Sequence, residues 1–272
     1  MKNTAKLLVV LAAGLVLLLG TGCNKLKARD QLNKGVQAFK NNKFEQAIDH
    51  FQQAVTLDPS LINARLYLAT AYAQQYIPGA DTPDNNRMGE QAIDQYKIVL
   101  QVDPRNINSV KGIAYLYLQM KKFELAKEYY KKASELDPND PEPYYSVAVI
   151  DWTQTYQPRQ EERAKLGMKA DEALPTKDKK LCAVIREKNS ANIQEGIDNL
   201  NKALQLRPDY DDAMAYMNLM YRERADVQCD DPAARAADLK TADDWVDKNM
   251  ATRKAKAEKQ PGAGGIVMDQ KQ

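Results

Sequence analysis

FELAKEYYKKASELDP, residues 123–138, and FEQAIDHFQQAVTLDP, residues 44–59, are two versions of one phrase. They share Phe, Glu, two Ala, Leu, Asp and Pro at matching offsets, and partial echoes follow in QAIDQYKIVLQVDP (91–104) and EGIDNLNKALQLRP (195–208). A phrase that recurs inside one chain points to a repeat architecture. The closing prolines set the period. The step from Pro104 to Pro138 is the shortest and defines the unit, about 34 residues long. The step from Pro59 to Pro104 is one such unit with an insert of eleven, and the step from Pro138 to Pro208 is one unit with an insert of 36. Within each unit the pattern is helical. Ala126, Tyr130 and Ala133 lie at i, i+4 and i+7, as do Ala47, Phe51 and Ala54, which places each set on one helix face. Small alanines let two helices approach while the aromatic ring fills the space between them. Pro138 cannot continue a helix interior. Asp140 then serves as an N-cap with Pro141 at the first helical position.

The preceding half of each unit is helical too: Leu68, Ala69 and Tyr72 match Ile113, Ala114 and Tyr117. This resembles the tetratricopeptide repeat, a helix-turn-helix of about 34 residues. The family's small residue in the first helix (helix A) falls on Gly35, Ala69, Ala114 and Ala148. Its alanine in the second helix (helix B) falls on Ala47, Ala92 and Ala126, with Gly196 in the fourth unit, and its closing proline on Pro59, Pro104, Pro138 and Pro208. The chain departs from the family at the first-helix Trp position, which holds Gln31, Arg65, Val110, Tyr144 and Met214. The fold expected is all-α: a right-handed α-solenoid of about five helix-turn-helix units, with insertions in the A-to-B turns and a C-terminal capping helix. The units fall at about 28–61, 62–106, 107–140, 141–210 and 211–258. The inserts lie near 75–88, 157–190 and 226–236, and a disordered tail occupies 259–272. Ala242 and Trp245 are expected to face inward from the cap. Gly35 and Gly196 sit on seam positions where close helix approach offsets the roughly 1 kcal/mol that Gly costs in a helix; Gly112 does not.

Residues 1–22 read as an address. Lys2 and Lys6 precede an apolar run from Leu7 to Leu19, too short to span a bilayer comfortably, which takes roughly 20 residues, and typical of a secretory signal; the alternative is an uncleaved membrane anchor. Leu19-Gly20-Thr21-Gly22-Cys23 resembles the lipobox of bacterial lipoproteins, which implies that Cys23 becomes the acylated first residue, with 23–27 a linker to the repeats. The family's large aliphatic residue belongs three before the Cys, where this chain has Gly20. Without residues 1–22, 37 basic residues face 37 acidic ones, so no basic stripe argues for nucleic acid. The implied localisation is the bacterial cell envelope, on the periplasmic face of either membrane. Cys182 and Cys229, in the inserts of units four and five, are an even pair in an oxidising compartment. They form either a disulfide or two buried thiols.

Catalytic constellations are missing. The chain has one histidine, His50, read as a surface or packing residue on a second helix; a Ser-His-Asp set would need it, and no second histidine stands ready for zinc. No Cys spacing suits a metal, and the GAGG of 262–265 lacks the Lys-Ser or Lys-Thr of a phosphate loop. The charged residues, as in KEYYKKASE, mix Glu and Lys on helical faces, where solvated i,i+4 pairs form. The chain is read as a non-enzyme without cofactor or metal. What the tetratricopeptide resemblance implies instead is a groove along the first helices that holds a protein or peptide. The family's groove positions fall on Asn63 and Leu66 in unit two, Asn108, Lys111 and Tyr115 in unit three, Tyr145 and Trp152 in unit four, and Arg222 in unit five. Tyr145 and Trp152 have the alternative of packing beneath the long insert. The expectation is a lipid-anchored adaptor that holds a protein partner during assembly of an envelope, secretion or pilus complex, similar to the pilotin and outer-membrane-assembly lipoproteins. The alternative is an enzyme or small-molecule-binding lipoprotein with the unit-four insert as a lid.

Overall fold

Whether the alanine seams close depends on what each aromatic meets, and every seam residue is buried. A computed structural model of the chain describes residues 23–169, 172–174 and 178–259. The proposed signal, 1–22, and the tail from 260 onward lie outside them. The described residues form ten helices and no strand: α1 (23–40), α2 (Phe44–Leu57), α3 (Ile62–Gln75), α4 (Pro83–Val102), α5 (Ile107–Gln119), α6 (Phe123–Leu136), α7 (Pro141–Lys165), α8 (Lys179–Leu206), α9 (Asp211–Asp226) and α10 (Pro232–Lys259). They divide into two compact units between Lys132 and Ala133. In the first unit α2 packs on α3, α3 on α4, and α4 on α5. In the second, α7 packs on α8, α8 on α9, and α9 on both α7 and α10. Residues 23–27, expected as a linker, are instead the first turn of α1.

The repeated phrase becomes repeated packing. Ala47, Ala54, Ala69, Ala92, Ala114, Ala126, Ala133 and Ala148 have no exposed surface. The aromatic on each face is buried: Phe51 and Tyr130 between two alanines, and Tyr96 between Ala92 and Val99. Phe51 presses on Gly35 of α1, where a Cβ would lie 2.4 Å from its ring, and stacks on Tyr67 of α3 at 5.5 Å. Gly112, unexplained in the sequence, has a clear reason. The Tyr96 ring of α4 lies against it, so that a Cβ there would come within 2.6 Å, and the Tyr96 hydroxyl bonds Thr70 Oγ1 of α3 at 3.1 Å. The small residue is set by an aromatic from the preceding repeat.

The turns are written in local chemistry. In the Leu-Asp-Pro and Val-Asp-Pro turns, the Asp58, Asp103 and Asp137 carboxylates accept from the backbone N–H two residues on, at 3.1, 3.2 and 3.1 Å, each an Asx-turn that relieves the helix end. The fourth phrase has Arg207 in that place, and its guanidinium lies 3.3 Å over the Tyr210 ring instead. The short A-to-B turns put Asn42 and Lys121 in the left-handed region. The next N–H reaches back to Ala38 O at 3.0 Å and Tyr117 O at 2.8 Å, the closing bond of a Schellman motif. The longer turn of unit two is part helix, not loop throughout. Thr82 Oγ1 accepts from Asn85 N at 3.2 Å with Pro83 at N1, and this cap-plus-proline signal outweighs the Asn and Asp content. The Asn85 side chain, nearly buried, donates to Ile77 O and Ala80 O and accepts from Ile77 N, which ties the turn down. Asp140 caps α7 by accepting from Glu142 N at 3.0 Å.

A Gly→Ala change in an open helix stabilises by about 1 kcal/mol, whereas forcing a methyl into a packed seam costs about 1–3 kcal/mol. Tyr96 is buried and hydrogen-bonded, so the second effect wins. Gly112→Ala is expected to destabilise the protein to urea by a net ~1 kcal/mol or more, and an increased urea midpoint would show that the ring moves aside freely.

Candidate functional site

Groove residues fall into two sets. In the first unit, α3 touches α5 as well as α4. Asn63 and Asn108 are each the second residue of their helix, and Leu66 and Lys111 each the fifth. Asn63 and Asn108 are exposed, and Tyr115, one turn beyond Lys111, is 49% exposed. Consecutive first helices thus present side chains in the same register toward solvent.

The second unit treats its sequence-selected residues differently. Tyr145 and Trp152, seven apart on α7, both meet Tyr216 of α9 edge-on at 5.6 Å. Tyr145 also contacts Tyr210 at 5.0 Å, and Trp152 stacks on Tyr156 at 4.6 Å. The result is an aromatic seam between α7 and α9, in which burial pushes the phenols of Tyr145, Tyr216 and Tyr210 up from their usual range. Arg222 remains exposed, donating to Asn218 Oδ1 at 2.8 Å and Asp243 Oδ1 at 2.7 Å.

Two turns beyond Trp152 lies a group that no local pattern announces. Arg159 of α7 donates Nε and Nη2 to the two Glu223 carboxylate oxygens at 2.7 and 2.6 Å, and Nη1 to Asp226 Oδ2 at 2.5 Å. Arg163, one turn further along α7, joins Asp226 at 3.2 Å and reaches into the insert, donating to Lys169 O at 2.7 Å and Glu172 O at 2.8 Å. Arg159 and Glu223 are almost fully buried. Burial pushes the Glu223 carboxyl up, opposed by its hydrogen bonds from Arg159. A signal does exist in the sequence: RQEERAK and YRERAD carry charges with the spacing of an apolar helix face. Such charges read as solvated pairs, because partners 64 residues apart are not visible in one helix. Beside the network, Cys182 of α8 is joined to Cys229 of the α9–α10 turn, with Cα atoms 5.7 Å apart.

Together these elements enclose a cavity of about 420 Å³ lined by Trp152, Tyr156, Arg159, Glu172, Arg222 and Arg235, among others. Two of its lining donors, Trp152 Nε1 and Arg235 Nε, are buried without an acceptor, at about 1–3 kcal/mol each.

Sequence comparison finds the repeat directly. Residues 35–75 match a family described as TPR repeat, and residues 111–140 one described as Tetratricopeptide repeat. No curated protein matches the chain. Among solved structures, a MamA protein aligns with a TM-score of 0.60 at 12% identity, over 88% of this chain and 98% of its own. MamA 41-end from Desulfovibrio magneticus RS-1 aligns at 0.56 and 15%, over 84% and 96%. YrrB, described as a TPR protein with an unusual peptide-binding site, aligns at 0.51 and 16%, over 83% and 90%. At these identities the likeness is one of fold: the chain carries tetratricopeptide repeats in an all-α architecture.

Removing one partner of a buried ion pair leaves an uncompensated charge and costs about 3–5 kcal/mol, while replacing both by apolar residues is close to neutral. Arg159→Met is therefore expected to lose about 3–5 kcal/mol in urea unfolding, and R159M/E223M to regain most of it. Equal loss in the single and double variants would mean that packing, not charge, is what Arg159 supplies.

Proposed function

We propose that the protein is a scaffold, without catalytic activity, that holds a protein partner on the first helices of its repeats. It is lipid-anchored through Cys23 and faces the periplasm of a bacterial envelope, where it serves assembly of an envelope, secretion or pilus complex. The observation that carries the scaffold reading is the matched register of Asn63 with Asn108 and Leu66 with Lys111 on adjacent helices, continued by the exposed Tyr115. Repeating Asn side chains at one helical spacing suit the repeating amides of an extended peptide, and an exposed tyrosine offers large contact area at low entropy cost. YrrB, which shares the fold, is described as having a peptide-binding site. Two observations support the location. Cys23 is exposed and unpaired, next to the apolar stretch. The bridge between Cys182 and Cys229 suits an oxidising compartment. Among the described residues no helix is long and apolar enough to cross a membrane.

Cys23→Ser is expected to move the protein from the membrane pellet to the soluble fraction of lysed cells; retention in the pellet would remove the lipid from the reading. N63A/N108A/Y115A is expected to lose at least tenfold in capture of the partner from detergent-solubilised envelopes, with helicity unchanged. Full capture by that variant would move the partner surface off α3 and α5.

A further inference from the structure

The outward face of α1 has a composition of its own. Cys23 already lies in the helix, and Lys25, Leu26, Lys27 and Arg29 follow within two turns, all exposed. Leu26, at 72%, is the most exposed large hydrophobic among the described residues. Cys23, Leu26 and Lys27 stand at i, i+3 and i+4 and so share one face, while Ala28 turns inward with no exposed surface. Lys25 and Arg29 stand one turn apart beside that face. They approach Asp58 at the end of α2, whose carboxyl is held below its usual range by the Ser60 hydroxyl and further by these two cations. Among the described residues none of Lys25, Lys27 and Arg29 is in an ion pair, and the one acid of α1, Asp30, is paired with Lys34 at 2.7 Å. In all, α1 holds five basic residues and one acidic, whereas the rest of 23–272 holds four more acidic than basic. Positive charge is thus concentrated on one helix, toward the end that carries the exposed leucine.

Position turns this charge toward a partner. On the lipid-anchored reading above, Cys23 sits at the bilayer surface. A helix rises about 1.5 Å per residue, which keeps Arg29 within about 9 Å of Cys23 along the axis, roughly one Debye length at physiological salt. All three cations are then in range of the headgroups, and each basic residue near an anionic surface strengthens binding about fivefold. Acyl chains hold a protein to the bilayer but leave its tilt free. We propose that Lys25, Leu26, Lys27 and Arg29 dock α1 on an anionic phospholipid surface, with the basic side chains on headgroup phosphates and Leu26 at the acyl boundary. The proposal rests on the lipid-anchored reading and adds an orientation to it, since a helix that begins at the acylated residue is fixed in direction once its first two turns lie on the headgroups.

The Cys23→Ser form of 23–272 carries no acyl group and isolates this face. It is expected to co-sediment with vesicles of equal parts phosphatidylglycerol and phosphatidylcholine, to bind phosphatidylcholine alone at least tenfold more weakly, and to be released by high salt. K25Q/K27Q is expected to weaken binding to the anionic vesicles at least tenfold and Leu26→Ser severalfold, with helicity unchanged. K254Q/K259Q removes the same charge from exposed positions on α10 and is expected to leave binding as it was. Equal binding to the two vesicles, or equal loss in K25Q/K27Q and K254Q/K259Q, overturns the proposal. Dimers that K25Q/K27Q abolishes, without vesicle binding, would assign the face to a second copy of the chain and overturn it too. The anchor is read separately, by whether cells carrying Cys23→Ser keep the protein in the pellet after a high-salt wash. Retention there removes the acyl group from the reading, while failure with vesicles removes only the docking face.

Discussion

Among the described residues, helices stack closely where a small residue receives the aromatic or long side chain that enters from the next helix. Gly35 makes room for Phe51, Gly112 for Tyr96, and Gly196 for the end of Met220. The small residues flanking each aromatic, alanines except for Val99, have no exposed surface. Because interiors are packed at crystal-like density, a methyl more at these places is not absorbed. The seam also ties each repeat to its neighbour: Tyr96 sits on α4 but touches Gly112 of α5 and bonds Thr70 of α3. No single hairpin can bury its own apolar face, so burial has to be shared between successive hairpins.

The second unit adds a different device to the same framework. Where α7 outruns the repeat by more than two turns, its extra length carries Arg159 and Arg163 into α9 and the insert. Burying two arginines and two carboxylates is costly, and their attraction offsets the cost only because the geometry is bidentate and the remaining donors are met by the carbonyls of Lys169 and Glu172. The gain is positional. The disulfide from Cys182 to Cys229 joins the start of α8 to the turn after α9, and the network joins α7 to α9. Between them Lys169 and Glu172 of the insert are held in place by Arg163.

The helices are legible in the sequence because their signals are local. The repeat period, the alanine faces, the Asp-Pro turns and the Asp140-Pro141 start each rest on residues close together in the chain or on one recurring phrase. Even the turn of unit two, whose composition suggests a loop, contains its own answer in Thr82-Pro83. The exposed row on α3 and α5 is likewise accessible, because identical offsets in successive repeats give identical register. Trp152, Tyr145 and Arg222 are selected by the same kind of offset, yet two of them end in a seam with Tyr216. Position in a repeat fixes the direction of a side chain, but the neighbouring helix decides whether that direction meets water.

Local pattern is therefore enough to make this chain all-α and built of tetratricopeptide hairpins with length added in particular turns, because periodicity, capping and small-residue placement act over one helix and its turn. It takes the packed helices to establish that Tyr96 accounts for Gly112, that RQEERAK buries its arginines against YRERAD, and that Trp152 and Arg235 share a cavity with neither donor satisfied. Those facts depend on pairs in different helices, whose meeting is set by how the helices stack and is written in no local pattern.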